Sequence, residues 1–455
     1  MAGVLSAYIY SAINQKIYVL VFNYKKSFFK RVIMLKITPK NHINSLVTVP
    51  GSKSCTHRIA IAAALSNGPC KVINPLESED TLLTLSALNQ MGVVSEKKEG
   101  HWLIFGADGT LSPCNDPIYL ANSGTSMRLL TALAALGKGT YTFTGTKRMH
   151  QRPMLDLING LNQIGVDAVS LNNNGCPPVA INAKGVKGGR IDLDCSMSSQ
   201  YLSALLLIAP YTENGIEIQV THGPVSKPYI DLTIDVLKQF GITVIRTGYQ
   251  YYKVPGGQHY RSGTYAVEPD GSNAGYFWAA AAITGGRVKV KDVTRHSRQG
   301  DVRLAYILEE MGCHLKHAAD GIEVTGGPLT AVEVDMSEIP DMVPTLAVVA
   351  AFAKGTTRIT NVAHLRVKEC DRLGAVATEL SKMGAKIIDT EAGLEITGGP
   401  LTGATIETYN DHRIAMSFAV AGLVVPDVLI DGERCVEKSF PTFWEVFQKM
   451  TSGSI

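Results

Sequence analysis

Read for its hydrophobic and polar positions, the chain repeats one pattern. An amphipathic stretch closes on an apolar residue and a glycine: LNQMG, LNQIG, LKQFG, LEEMG and LSKMG, ending at Gly92, Gly165, Gly241, Gly312 and Gly384. These glycines stand 73, 76, 71 and 72 residues apart. Each suits a left-handed helix C-cap, because glycine alone enters that conformation without a steric cost. Two short β-rich runs then follow across a turn, as in GVVSEKKEGHWLIFG and GAKIIDTEAGLEITG, which predicts a hairpin.

A second kind of segment recurs in the same frame. RIAIAAAL, MRLLTALAAL, YLSALLLIAP, YFWAAAAI, MVPTLAVVAAFA and IAMSFAVAGLVV are apolar nearly all round. Helices of that kind are buried on every side. All but the last are too short to cross a bilayer. The predicted unit is strand, buried helix, strand, amphipathic helix, hairpin. Six copies, the last truncated, fill residues 34–455. A chain of 455 residues needs more than one core. The expected fold class is α/β, with two similar domains, each of three repeated β-α-β-α-β-β units. The segments VPGSKSCTHRIAIAAAL and VEPDGSNAGYFWAAAAI look alike and each reads as the opening of a domain. The chain would then cross between domains near Pro50 and Glu268. On that reading the N-terminal domain is 51–267, the C-terminal domain is 34–50 plus 268–455, and a site lies in the cleft between them.

Residues 1–33 stand apart from this frame. They hold Lys16, Lys25, Lys26, Lys30 and Arg31 and no acid. Asn14, Gln15 and Lys16 interrupt the apolar run, so no membrane span is expected there. The segment reads as an N-terminal extension from a misassigned start, with Met34 opening the protein; a transit peptide is the alternative.

Composition narrows the chemistry. A net charge of +3 argues against nucleic-acid or membrane binding through bulk charge, so any basic site must be local. The eight cysteines form no C-x-x-C pair and no zinc spacing, as expected of reduced thiols in a cytoplasmic protein. Phosphate-loop, dinucleotide, zinc-protease and nucleophile-elbow motifs are missing.

The segments entering the buried helices carry the distinctive residues. They include Gly51-Ser52-Lys53-Ser54, Asn122-Ser123-Gly124-Thr125, Ser198-Ser199-Gln200, Pro340-Asp341 and Asn410-Asp411-His412-Arg413. A helix start offers free N–H groups and a positive dipole end to an anion, although Ser, Asn and Asp there are also ordinary caps. Cations at such starts oppose the dipole unless an anion binds. Lys53, Arg58, Arg128, Arg152 and Arg413 stand at or near them, with Pro153 at a plausible first helical position. Arg366, Lys368 and Arg372 crowd into HLRVKECDRL. Asp341 and Glu369 are candidate proton carriers. The plainer readings are an N-cap for Asp341 and a surface i,i+3 pair with Arg372 for Glu369.

VPGSKSCTHR, LANSGTSMRLL, HQRPM, SMSSQYLSALLLIAP, VSKPYID, HLRVKECDRL, YNDHRIAMSF and EKSFPTFWE occur in order from about Met34 to the C-terminus. Together they resemble the 5-enolpyruvylshikimate-3-phosphate synthases of the enolpyruvyl transferase family. The resemblance implies a two-domain fold and transfer of the 1-carboxyvinyl group of phosphoenolpyruvate to the 5-hydroxyl of shikimate 3-phosphate. The reaction passes through a tetrahedral adduct that loses phosphate, within aromatic amino acid biosynthesis. It implies no metal or organic cofactor; a cytoplasmic monomer acting on small molecules is expected. By resemblance, Lys53, Ser54, Arg58, Ser198, Ser199, Gln200, Ser226, Tyr229, Asp341, His364 and Lys368 would hold shikimate 3-phosphate. Lys53, Asn122, Gly124, Arg152, Gln200, Arg372, Arg413 and Lys438 would hold phosphoenolpyruvate. Asp341 would act on the attacking hydroxyl, Glu369 would donate the proton, and Lys53 would assist.

Two positions depart from well-known members. His364 stands where they often carry Asn, and its imidazole would make the contact pH-dependent. Leu129 follows Arg128 where Pro is common, which bears on inhibitors such as glyphosate. The sister transferases acting on UDP-N-acetylglucosamine typically carry Asn where this chain has Ser54, and a Cys-bearing loop where residues 145–151 have none. A non-enzymatic anion binder on the same scaffold would gain nothing from Asp341 and Glu369.

Overall fold

The computed structural model describes residues 8–13, 16–21 and 32–452. Its helices and strands follow the predicted unit. In the second unit, strand Ile118–Tyr119 leads into the buried helix Gly124–Ala134, strand Lys138–Thr144, the amphipathic helix Leu155–Gln163, and the hairpin Asp167–Ser170 with Val179–Lys184. These strands make one four-stranded sheet, with the first pair parallel and the rest antiparallel. The parallel pair brackets the buried helix, which is the connection a parallel pair requires. The third and fifth units build their sheets in the same way.

The first and fourth units exchange a strand. Asn44–Val47 pairs with Arg287–Lys291, and Gly263–Ala266 pairs with Pro69–Ile73. The chain therefore passes twice between two bodies, and the passages lie side by side, joined by a bridge between Gly51 and Pro269. Two separate apolar cores result. One draws on residues from Cys55 to Val267, the other on Leu35 to Val49 together with Ala274 to Met450. Each encloses three buried helices: Lys53–Leu65, Gly124–Ala134 and Gln200–Ile208 in the first, Gly271–Thr284, Val343–Ala350 and His412–Ala421 in the second. Alanine and leucine dominate these helices and combine helix propensity with small or apolar surfaces. The starts of five of them line the junction of the two bodies, and Asp270, which caps the sixth, accepts from the Lys53 N–H.

The five repeat glycines take positive φ, at 91°, 84°, 84°, 112° and 88° for Gly92, Gly165, Gly241, Gly312 and Gly384. The left-handed C-cap was legible locally because it depends on the backbone of one residue. Within the stretch set apart from the fold, Tyr8–Ile13 and Lys16–Val21 form an antiparallel hairpin that pairs onto Val32–Lys36. That strand continues into a sheet with Leu429–Asp431 and Thr405–Glu407. The rest of the extension lies outside the described residues. All eight cysteines are free thiols. Among the described residues no helix is long and apolar enough to cross a membrane.

Candidate functional site

The cleft between the two bodies gathers most of the residues singled out from sequence. Lys53, Ser54, Arg58, Gly124, Arg152, Ser198, Ser199, Gln200, Ser226 and Tyr229 line it from the first body, and Asp341, Lys368, Glu369, Arg372 and Arg413 from the second. Asn122, His364 and Lys438 stand one layer back. Lys438 Nζ donates to Asp80 Oδ1 at 2.7 Å and to the Asn122 carbonyl at 3.0 Å. His364 is buried beside Lys368, Asp341 and Arg372.

Arg372 organises the second body's share. Its Nη1 donates to Asp341 Oδ1, its Nη2 to Glu369 Oε2 and its Nε to Asp411 Oδ2, each at 2.8 Å. Arg413 Nη2 reaches the other Asp341 oxygen at 2.6 Å. Asp341 lies in the 3-10 turn Pro340–Met342 and spends its carboxylate on two guanidinium groups, so it is no N-cap. The i,i+3 pair of Glu369 with Arg372 is present, but both side chains are buried rather than on the surface. The helix Arg372–Lys382 takes its cap from Asp371, which leaves the arginine free to turn into the cleft. Arg128 and Arg366 do not join the site. Arg128 donates to the carbonyls of Gly124 and Pro153, and Arg366 pairs with Asp371 and Asp389. The amphipathic helix after Arg152 begins at Leu155 with Met154 as its cap, two residues later than Pro153 suggested.

Gly124 shows how tightly the first body packs here. A Cβ on it would lie 2.3 Å from Arg152 Nη2 and 2.9 Å from Arg128 Nη1. Any side chain would displace the guanidinium that enters the cleft. Leu129 is buried on the far side of the same helix.

The charges are set against one another. Burial would raise the pKa of Asp341, but Arg413, Arg372 and Lys368 outweigh it and hold the carboxylate well below its ordinary range. Burial likewise opposes ionisation of Glu369, and Arg372 and Arg152 reverse the outcome. Lys368 is pushed down to about 8 by burial, although Asp341 works the other way. Asp301 is raised to about 6, by burial and then by Asp341, while it accepts from Tyr229 Oη at 2.8 Å.

His364 departs from expectation. Burial, then Lys368, lowers its pKa to about 3, so the imidazole stays neutral at ordinary pH and brings no pH dependence near neutrality. Burial takes His57 to about 3 as well, and holds His412 well below 6.5. The sign of the linkage follows. As pH falls from about 6.5 toward 3, the unfolded chain takes up protons that these folded imidazoles refuse, so stability falls. The depressed carboxylates of Asp80 and Asp341 add to the loss below about pH 4. Asp301 acts oppositely between about 4 and 6, as one group against several. Thermal melts are expected to show a midpoint roughly 10 °C lower at pH 4.5 than at pH 7. A flat profile across that window would show that the histidines are not buried neutral.

Sequence reasoning missed Asp80 on the cleft wall, and named Thr125 and Pro340 only as members of helix-start segments with no binding role. Asp80 follows Ser78 and Glu79 at a helix start, where an acid reads as an ordinary complement to the dipole. In the structure it is buried, with Lys53 Nζ at 3.2 Å on one oxygen and Lys438 on the other.

Comparison with known proteins gives a consistent picture. Residues 37–447 match the family model of EPSP synthase (3-phosphoshikimate 1-carboxyvinyltransferase). A protein of Syntrophobacter fumaroxidans named 3-phosphoshikimate 1-carboxyvinyltransferase is 44% identical over 419 residues, covering 91% of this chain and 99% of that one. Its namesake in Shewanella oneidensis is 42% identical over 421 residues, with 91% and 99% covered. The solved EPSP synthase of Acinetobacter baumannii superposes with a TM-score of 0.76 at 31% identity, covering 91% of this chain and 97% of that structure.

Proposed function

Because the chain belongs to the EPSP synthase family, we propose that its cleft transfers the 1-carboxyvinyl group of phosphoenolpyruvate to the 5-hydroxyl of shikimate 3-phosphate. The observation that carries this reading is the pairing of Arg372 with both Asp341 and Glu369 inside a cleft lined by cations from two bodies. Two phosphorylated, carboxylated substrates need several fixed cations. Addition and elimination across an enol need a base and an acid near two carbon atoms.

The division of labour is carried over from the family resemblance. Lys53, Ser54, Arg58, Ser198, Ser199, Gln200, Ser226, Tyr229, Asp341, His364 and Lys368 serve shikimate 3-phosphate. Lys53, Asn122, Gly124, Arg152, Gln200, Arg372, Arg413 and Lys438 serve phosphoenolpyruvate, with Asn122 and Lys438 acting from the second layer. Asp341, held ionised by two guanidinium groups, accepts the proton of the 5-hydroxyl as it attacks the second carbon of the enol. Arg372 and Arg152 hold Glu369 ionised against the effect of burial. A bound dianion would neutralise Arg372 and Arg152, the charges that depress Glu369, so its pKa rises and it can deliver a proton to the methylene carbon. The tetrahedral adduct then returns one proton of its new methyl group to the Glu369 carboxylate, which restores the carbon–carbon double bond as phosphate leaves.

Phosphate release from phosphoenolpyruvate, assayed with each acceptor, tests the function. Release is expected with shikimate 3-phosphate and not with UDP-N-acetylglucosamine. No release with shikimate 3-phosphate would overturn the reading, and equal release with both would favour the sister activity.

The two bodies act as domains, 51–267 and 34–50 plus 268–455, hinged where the chain passes at Pro50 and Glu268. Contacts across the cleft, including Ser226 N–H to the Ser337 carbonyl at 2.9 Å and Lys438 to Asp80, belong to the closed arrangement. Small-angle scattering is expected to give a smaller radius of gyration with both substrates bound, as closure around anions requires. An unchanged radius would count against hinged closure.

A further inference from the structure

We propose that Arg148 is a positioning residue that places Glu369 for proton transfer only when the two bodies meet. Arg148 belongs to the first body and precedes the 3-10 turn Met149–Gln151. It is not part of the cleft wall. Its guanidinium crosses to the second body, where Nε donates to the Lys368 carbonyl at 3.0 Å and Nη2 to the Arg366 carbonyl at 2.9 Å. The remaining arm donates to Gln151 Oε1 at 3.2 Å. Among the described residues it makes no ion pair with a carboxylate, so the two carbonyls are its principal electrostatic partners.

Those carbonyls sit at the end of the 3-10 turn Ala363–Val367, whose last acceptors lack intrahelical donors and carry the negative end of the turn's dipole. A forked cation fits that place better than a point charge. The Lys368 carbonyl is also half of the Lys368–Glu369 peptide group. Because that group is planar, holding the oxygen fixes the plane from which both the Lys368 and Glu369 side chains leave. Arg152, four residues after Arg148, lies 3.6 Å from Glu369 Oε1. One short segment of the first body therefore grips Glu369 twice, by its main chain and by its carboxylate. When the bodies part, both grips are lost and only Arg372, on Glu369's own body, remains. The acid is then out of place, and a phosphoenolpyruvate bound to the open protein is protected from protonation in water.

The inference rests on Glu369 being the proton donor, and the test keeps the two apart. Glu369→Gln alone addresses the donor: turnover unchanged by it would sink that reading whatever Arg148 does. Arg148→Ala is expected to lower kcat by about 10²-fold, the scale of an ångström of misplacement. KM for phosphoenolpyruvate, the Kd for shikimate 3-phosphate and the melting temperature should stay close to wild type. Arg148→Lys should not restore kcat, since one ammonium cannot span both carbonyls in the same geometry. In the Glu369→Gln background, single-turnover rates should be nearly insensitive to Arg148→Ala, because residues acting through one another are not additive. A kcat within threefold of wild type in Arg148→Ala, full rescue by lysine, or additive losses in the double variant would each overturn the proposal.

Discussion

Arg372→Ala is expected to lose measurable turnover and much of the stability of the second domain. The side chain is fully buried and serves Asp341, Glu369 and Asp411 through three different nitrogens. Burial opposes its charge, and the three carboxylates more than restore it, raising its pKa. Removing the guanidinium leaves carboxylates crowded in a poorly solvated place. Breaking one side of such a network costs roughly 3–5 kcal/mol. Arg372→Lys should recover little, since an ammonium cannot serve three acceptors in a fixed plane. Urea denaturation followed by circular dichroism measures the stability loss, and phosphate release measures the activity. A variant as stable as wild type would show that the carboxylates take up protons or partners on their own.

Asp341→Asn should separate chemistry from binding. Its two oxygens face Arg372 and Arg413, and the amide keeps the shape while removing a negative charge. With two guanidinium groups less neutralised, affinity for either anionic substrate should hold or increase. The proposed base, however, is gone, and on that proposal kcat should fall by about 10²–10⁴-fold. Steady-state kinetics should therefore show a collapsed kcat with KM unchanged or lower. A raised KM with kcat intact would mean that Asp341 only positions the acceptor. Read beside Arg372→Ala, this variant tells whether the ion network serves mainly folding or mainly the reaction.

Legibility followed the range of each interaction. The repeat glycines were readable because a left-handed C-cap depends on one residue's backbone, and all five positions take positive φ. The buried helices were readable because a segment apolar on every side has no stable place on a surface. Lys53, Arg372 and Arg413 stood out because cations at helix starts are costly without an anion, and Asp341 and Glu369 drew notice only because they lie among such segments. Asp80 was not readable. Nothing in its neighbourhood announces Lys438, which lies 358 positions away. Arg148 was silent for a related reason: its partners are main-chain carbonyls, which every residue owns and no sequence marks. His364 misled because its pKa is set by burial and by Lys368, not by the type of side chain.

The sequence by itself determined the repeat, the six buried helices and the residue types at their starts, since helix formation, capping and patterning are settled within a few turns of chain. Only the tertiary structure decided which charges face one another. Arg128 and Arg366 look as suited to an anion as Arg152 and Arg372, yet the first two are consumed by local carbonyls and acids while the last two turn into the cleft. The double crossing was expected from the likeness of two segments, but which strands pair there, Asn44–Val47 with Arg287–Lys291 and Gly263–Ala266 with Pro69–Ile73, was decided in three dimensions, because parallel pairing joins segments that share no local contact. A charge's role depends on distance and burial, and those are properties of the packed chain, not of the residue.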